Sequence, residues 1–254
     1  MKIRVGKLFE LKDKYRKGFC AITPDLNDES SIEKYLDDLS LVLNDNKIYL
    51  DLIIFRNQSL SLNEQHDLYL SFEESFWDIF QRSGGELIPQ HDGSWFSGLG
   101  LFSDTKIVWN AGFADDLYYL LPPSNICGGY HFKSNEIFQV KKSLMNKIRK
   151  ENKDPRNGNP DYRYVFGCSC HDEADLKRAN ELELDYCLLS PINSKNKDFP
   201  NMSWDAFSKL VSKSKVPVYA LGGLELNDLE TSKKYGAMGT VSYTHLTLPT
   251  TYTV

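Results

Sequence analysis

Hydrophobic positions along this chain fall into short apolar runs, each followed by a stretch in which apolar residues recur every three or four positions. Strand-length runs alternating with a helical period predict parallel strands joined by crossover helices. Residues 19–23 form the first run, closed by Pro24-Asp25, and residues 31–43 place Ile32, Tyr35, Leu36, Leu39, Val42 and Leu43 on one helical stripe. Residues 48–55 are nearly continuous in apolar character, as a strand covered on both faces requires. Ser61-Leu-Asn-Glu64 has the form of a capping box and opens a helix carrying Leu68, Phe72, Phe76 and Phe80, which stops at Gly84-Gly85.

Between residues 86 and 103 the pattern lapses into Gly, Ser and aromatic residues, which reads as a long loop or insertion. Regularity returns with strands at 106–110 and 126–132, separated by a short helix at 115–121. Residues 135–149 have helical spacing, and residues 153–160 form a polar, turn-rich connector. Further strands are expected at 164–169, 186–190, 218–221 and 237–241, with helices at 172–181, 203–212 and 227–235. Eight strand–helix units in about 240 residues have the size and rhythm of a (β/α)8 barrel, whereas a doubly wound open sheet uses fewer strands. The expected fold is thus α/β, a TIM barrel lacking its last helix.

Composition narrows the class without changing the fold. The 254 residues are 26% charged and 41% hydrophobic with a net charge of -5, which argues against disorder and gives no electrostatic footprint for nucleic acid. The first 18 residues interleave charged and apolar positions and so lack the core of a signal peptide, and no apolar run is long enough for a membrane span. The chain therefore reads as a soluble, cytoplasmic protein. Of five cysteines, Cys20, Cys127, Cys168 and Cys187 sit in apolar, strand-like runs, which suits reduced buried thiols. Cys168 and Cys170 form a C-x-C, but no second Cys/His pair at zinc-finger spacing accompanies it, and no metal ligand set is assigned.

Three segments carry polar groups where strands end. In Phe166-Gly-Cys-Ser-Cys-His-Asp172, Ser169 and His171 lie where a strand gives way to a helix, with Glu173 and Asp175 in its first turn. His171 has the chemistry of a general base near neutral pH, and the competing reading is a residue that caps or packs at the helix start. The loop Leu189-Ser-Pro-Ile-Asn-Ser-Lys-Asn-Lys197 offers hydroxyls and the amines of Lys195 and Lys197 to a phosphate or diphosphate, against the alternative that the lysines are merely solvated. In Tyr219-Ala-Leu-Gly-Gly-Leu224, paired glycines after a strand let backbone N–H groups approach an anion, and Gly236-Ala-Met-Gly239 follows at the next strand.

The segments FGCSCHDEADLKRANELELDYCLLSPI, PVYALGGLELNDL and YGAMG together resemble the thiamine phosphate synthase/TenI family, whose pattern is a G-x-S-x-H turn, a D-Y strand ending in G/S-P, a downstream T/S-K and an A-L-G-G phosphate strand. Upstream, FCAITPD, IIFRNQSLS and GGYHFKSN are similar to the family's first strand, its Q-L-R-x-K strand and its G-V-H-L strand. The resemblance implies a transferase that joins a pyrimidine diphosphate to a thiazole phosphate in thiamine biosynthesis, with Mg2+ assisting loss of diphosphate. It implies that Arg56 and Ser169 lie against the diphosphate, that Ser194 with Lys195 or Lys197 supplies a hydroxyl–lysine pair, and that Gly222 and Gly223 hold the thiazole phosphate. Gln58, His131 and Ser190 fall at substrate-facing positions of the same motifs.

The family's tautomerase branch implies a different outcome for the same site. There His171 is the acid/base that moves a proton on a thiazole carboxylate phosphate, and no cofactor is needed. A non-catalytic binder of phosphorylated thiamine precursors is the third reading. Gln58 stands where the synthases carry the lysine of R-x-K, His131-Phe-Lys-Ser replaces H-L-G-Q, and the N-D-R-x-D metal segment is altered at residues 109–115, with Asp115 or Asp116 as the available carboxylates.

The final residues depart from the rest. VSYTHLTLPTTYTV carries no charge, and VSYTHLTLPT resembles the translation of a sequencing-library adapter. Residues 1–17 are accordingly read as an extension, 18–240 as the barrel and 241–254 as a non-native tail lying where the eighth helix is due.

Overall fold

The structure, a computed structural model, describes residues 18–46, 50–82, 86–89, 95–98, 105–110, 129–151, 165–194 and 200–243. Eight parallel strands close into a barrel: β1 (Phe19–Ile22), β2 (Leu50–Phe55), β5 (Lys106–Trp109), β6 (Gly129–Phe132), β7 (Val165–Cys170), β8 (Tyr186–Leu189), β9 (Val218–Leu221) and β10 (Gly239–Tyr243). Strand β1 pairs with both β2 and β10, which completes the ring. The TIM barrel expected from the sequence is the observed fold.

Among the described residues, six α-helices lie between these strands: α1 (Glu29–Asn46), α2 (Leu62–Arg82), α3 (Lys142–Glu151), α4 (Glu173–Leu182), α5 (Trp204–Val211) and α6 (Leu229–Lys234). The capping box at the start of α2 forms as its spacing predicts, with the Ser61 N–H donating to Glu64 Oε2 at 2.9 Å and the Ser61 hydroxyl to the same oxygen at 2.6 Å. Among the described residues, no helix is long and apolar enough to cross a membrane.

Strand residues are buried on both faces, which is why their hydrophobic runs are continuous. Along β8, Tyr186 and Leu188 join an inner cluster with Cys20, Ile54 and Tyr219, while Cys187 and Leu189 join the outer layer beneath the helices. Along β7, Phe166, Cys168 and Cys170 pack outward, so Gly167 and Ser169 face the barrel interior. A Cβ on Gly167 would meet the Tyr186 ring at 2.0 Å, so the glycine is the space that this ring occupies.

Two sequence expectations are corrected. Residues 86–103 are not simply a loop: β3 (Glu86–Pro89) and β4 (Trp95–Gly98) form an antiparallel pair with Leu87 opposite Ser97. The helix expected over 135–149 begins only at Lys142, and residues 134–139 are turns. Arg178 on α4 explains this, because its guanidinium donates to the carbonyls of Ile137 at 3.1 Å and Val140 at 2.8 Å and turns them away from a helical ladder. The Glu136 carboxylate adds to the turn by accepting the Lys133 N–H at 2.7 Å. Strand β10 runs past residue 240, with Cys20 opposite Val241 and Ile22 opposite Tyr243, so Val241, Ser242 and Tyr243 are part of the barrel wall. The expected helix at 115–121, the connector at 153–160, the extension at 1–17 and residues 244–254 lie outside the described residues.

Candidate active site

All eight barrel strands are parallel, so their carboxyl ends share one mouth, where Thr23, Arg56, Asn110, Lys133, His171, Ser190 and Gly222 follow directly on the strands. Arg56 is held there by its backbone. The buried Thr23 hydroxyl donates to the Arg56 carbonyl at 3.0 Å and accepts the Arg56 N–H at 2.9 Å. The next residues are tied to the same loop, since the Asn57 amide donates to the Leu26 carbonyl and the Gln58 N–H donates to Asp25 Oδ1 at 3.0 Å. Nothing in the chain singles out Thr23, because its role as a clamp requires β1 and β2 to be neighbours.

His131 lies inside the barrel and is 2% exposed. Its Nδ1 is 2.8 Å from the Tyr186 hydroxyl and its Nε2 is 2.9 Å from Ser169 Oγ. Burial, reinforced by the positive charge of Arg56, pushes its pKa down from 6.5 to about 3, so the ring is neutral. A neutral imidazole has one donor and one acceptor nitrogen. The buried Tyr186 hydroxyl, whose pKa burial raises well above its usual value, keeps its proton and has His131 as its partner among the described residues. It therefore donates to Nδ1, Nε2–H donates to Ser169, and the Ser169 hydroxyl keeps its own proton for another acceptor. His131, which the sequence places at a substrate-facing position, is buried behind Ser169, whose hydroxyl its Nε2 contacts. Tyr186 sits in the D-Y strand motif, but nothing in the sequence shows that its hydroxyl crosses the barrel to β6.

His171 follows β7 and is exposed at the mouth. Its Nδ1 lies 3.1 Å from the Ser190 carbonyl and 3.2 Å from the Ser190 hydroxyl. A carbonyl only accepts, so Nδ1 carries the proton of the neutral ring and Nε2 keeps its lone pair. The His171 N–H donates to Asp175 Oδ2 at 2.8 Å, and Asp172 caps α4 by accepting the Asp175 N–H at 2.9 Å. Burial raises the Asp175 pKa, an effect that the bond from His171 N–H partly offsets.

Gly222 and Gly223 follow β9 with φ of +114° and +64°. A Cβ on Gly223 would come within 1.8 Å of the Asn193 carbonyl oxygen, because the loop after β8 packs directly on this turn. The Ile192 N–H donates to the Leu221 carbonyl at 3.1 Å and the Asn193 N–H to the Gly222 carbonyl at 2.7 Å. The β8 loop is braced further by Asn201, whose side-chain oxygen accepts the Ser194 N–H at 2.9 Å. A cavity of about 450 Å³ opens between the two loops, lined in part by Ile192, Asn193, Asn201 and Leu224. Lys195 and Lys197 lie outside the described residues.

The described residues thus bring together Arg56, His131 and Ser169 on one side and His171 with Ser190 on the other, while Gly222, Gly223 and Ser194 belong to the adjoining loops. Among the described residues, the one cluster of three His, Cys, Asp or Glu side chains close enough to share a metal ion is Cys168, Cys170 and Cys187, on the outer face of the barrel. Asp115 and Asp116 lie outside the described residues.

Fold and site together define a parallel (β/α)8 barrel with polar groups concentrated at the carboxyl ends of its strands. Residues 160–245 match the family model described as thiamine monophosphate synthase, TMP-TENI, so the family resemblance is shown over this part of the chain. Among solved structures, thiamine phosphate pyrophosphorylase from Pyrococcus furiosus is similar with a TM-score of 0.55 at 12% identity, covering 89% of this chain and 84% of that one. FabK from Thermotoga maritima is similar with a TM-score of 0.54 at 12% identity, covering 97% of this chain and 62% of that one. At such identities the likeness is one of fold. No curated protein sequence matches the chain.

Proposed function

We propose that this chain is a thiamine phosphate synthase-like transferase that joins a pyrimidine diphosphate to a thiazole phosphate. The observation that carries the reading is the constellation drawn from three strands: Arg56 after β2 is close enough to depress the pKa of His131 on β6, and His131 bonds Ser169 on β7 at 2.9 Å. In this reading the diphosphate lies at the mouth between the Arg56 guanidinium, whose planar fork matches phosphate oxygens, and the Ser169 hydroxyl. The Tyr186–His131 pair holds Ser169 as a donor, so that it bonds the leaving group as negative charge grows there. The thiazole phosphate lies against the backbone of Gly222 and Gly223 in this reading; the nearby cavity of about 450 Å³ is lined by Ile192, Asn193 and Leu224 rather than by the glycines themselves. No step is routed through Mg2+, because the described residues at the mouth do not gather carboxylates for it.

One observation favours the tautomerase reading as the alternative. His171 has Nδ1 committed to the Ser190 carbonyl at 3.1 Å, which leaves the lone pair of Nε2 for a substrate proton. Both readings require a cytoplasmic-type pool of phosphorylated small molecules and neither calls for nucleic acid.

The test assays the full chain for thiamine phosphate formation, with and without Mg2+, beside tautomerisation of the thiazole carboxylate phosphate. Transferase turnover that falls at least about tenfold in Arg56→Ala and Ser169→Ala is expected. Tautomerisation alone, lost in His171→Ala, would replace the transferase reading with the isomerase one. Phosphate-ligand binding without turnover in either assay would leave a binding protein.

A further inference from the structure

We propose that Cys168, Cys170 and Cys187 form a binding site for a divalent, thiophilic d10 cation of the zinc class, on the outer face of the barrel and separate from the mouth. The site follows from the strand geometry. Cys168 and Cys170 are two residues apart on β7 and so share a face, and Cys187 on β8 stands directly opposite Cys168 in the parallel register. All three side chains enter the layer between sheet and helices and are fully buried.

Cys168 Sγ lies 3.4 Å from Cys170 Sγ and 3.9 Å from Cys187 Sγ, and all three sulfurs lie within 4.8 Å of one another. A tetrahedral ion with metal–sulfur bonds of about 2.3 Å sets its sulfurs about 3.8 Å apart, so the thiols already stand close to the required spacing.

Binding is balanced as M2+ + 3 RSH → M(SR)3− + 3 H+, with sulfur–metal bonds replacing sulfur–hydrogen bonds and no redox change. A divalent ion leaves one buried negative charge, whereas a monovalent ion would leave two, at a much higher desolvation cost. Soft thiolates also select against Mg2+ and Ca2+. Because the thiols are buried, the ion enters as the chain folds or through local opening beneath α4, and it exchanges slowly. Ser169 lies between two of the ligands on β7 and faces the opposite way, so a bound ion stiffens the strand that carries the diphosphate-side hydroxyl.

Cd2+ is the probe, added to the reduced full chain under metal-free buffer, with unbound ion removed by gel filtration. Expected are about one Cd2+ per chain, a thiolate-to-metal charge-transfer band, and three sulfur neighbours by X-ray absorption. Cys170→Ser and Cys187→Ser should each lower affinity about tenfold or more, while Cys20→Ser, on the inner cluster, should not change it. The sulfur count on the unmodified chain is decisive even where a variant folds poorly. No retained ion, a shell with fewer than three sulfurs, or equal binding by Cys187→Ser would overturn the site.

Discussion

The Tyr186 hydroxyl and His131 Nδ1 are 2.8 Å apart inside the barrel, and this bond decides which way the proton on the imidazole faces. With Tyr186 donating, His131 donates in turn to Ser169, and a serine at the mouth is held as a donor. Tyr186→Phe removes the first link and leaves a buried ring nitrogen unsatisfied. A loss of about 1–3 kcal/mol in denaturant unfolding is expected, together with weaker binding of pyrophosphate. An unchanged pyrophosphate affinity would separate Tyr186 from the orientation of Ser169.

The same histidine sets an acid limit on stability. Its pKa falls from 6.5 to about 3 on folding, so between those values the unfolded chain holds a proton there that the folded chain does not. Stability from this group is present above about pH 6.5 and declines as pH falls toward about 3, by up to about 1.4 kcal/mol per unit. Asp175, raised by burial, acts with the opposite sign, so the comparison of interest is with His131→Gln, whose stability should be lower but flatter over this window. Unfolding midpoints measured between about pH 7 and pH 4 check this; parallel slopes in the two proteins would refute it.

Gly223 and Gly236 both have positive φ, of +64° and +93°, but different surroundings. At Gly223 a new Cβ meets the Asn193 oxygen at 1.8 Å, while at Gly236 it meets only Val211 Cγ1 at 3.4 Å. Gly236→Ala should cost about 1–2 kcal/mol from backbone strain. Gly223→Ala should cost clearly more and should also weaken ligand binding, because the β8 loop must move. Thermal unfolding of the two variants side by side tests the difference.

Asp185 accepts the Phe166 N–H at 2.9 Å and is 2% exposed, so its carboxylate ties β7 to β8 away from the mouth. Asp185→Ala should destabilise the fold by about 1.5–3 kcal/mol, since it leaves a buried donor without its charged partner. Ligand affinity of the folded fraction should stay as it was. A selective loss of affinity at full stability would move Asp185 from the scaffold to the site.

Much of this was legible in the chain. Continuous runs such as VYAL and YCLL fix strands because both faces of each are buried, and the Ser61–Glu64 capping box is a local bond that needs no tertiary partner. The G-x-S-x-H and G-G segments read correctly as strand ends. What went unread depended on partners distant in sequence. The β3–β4 hairpin is held by cross-strand backbone bonds in two four-residue strands too short to show a period, and the start of α3 is displaced because Arg178 takes the carbonyls that a helix would have used.

The sequence by itself determined the eight-strand rhythm, the end of each strand at which polar groups collect, and the residue types offered to a phosphate. Only the tertiary structure decided that His131 bonds Ser169 and Tyr186, that Gly223 is required by Asn193, and that Cys187 joins Cys168 and Cys170. The physical reason is the same in each case. Hydrophobic period and capping are written in neighbours three or four residues apart, whereas these contacts join residues 19 to 55 positions apart, brought together only when the barrel closes.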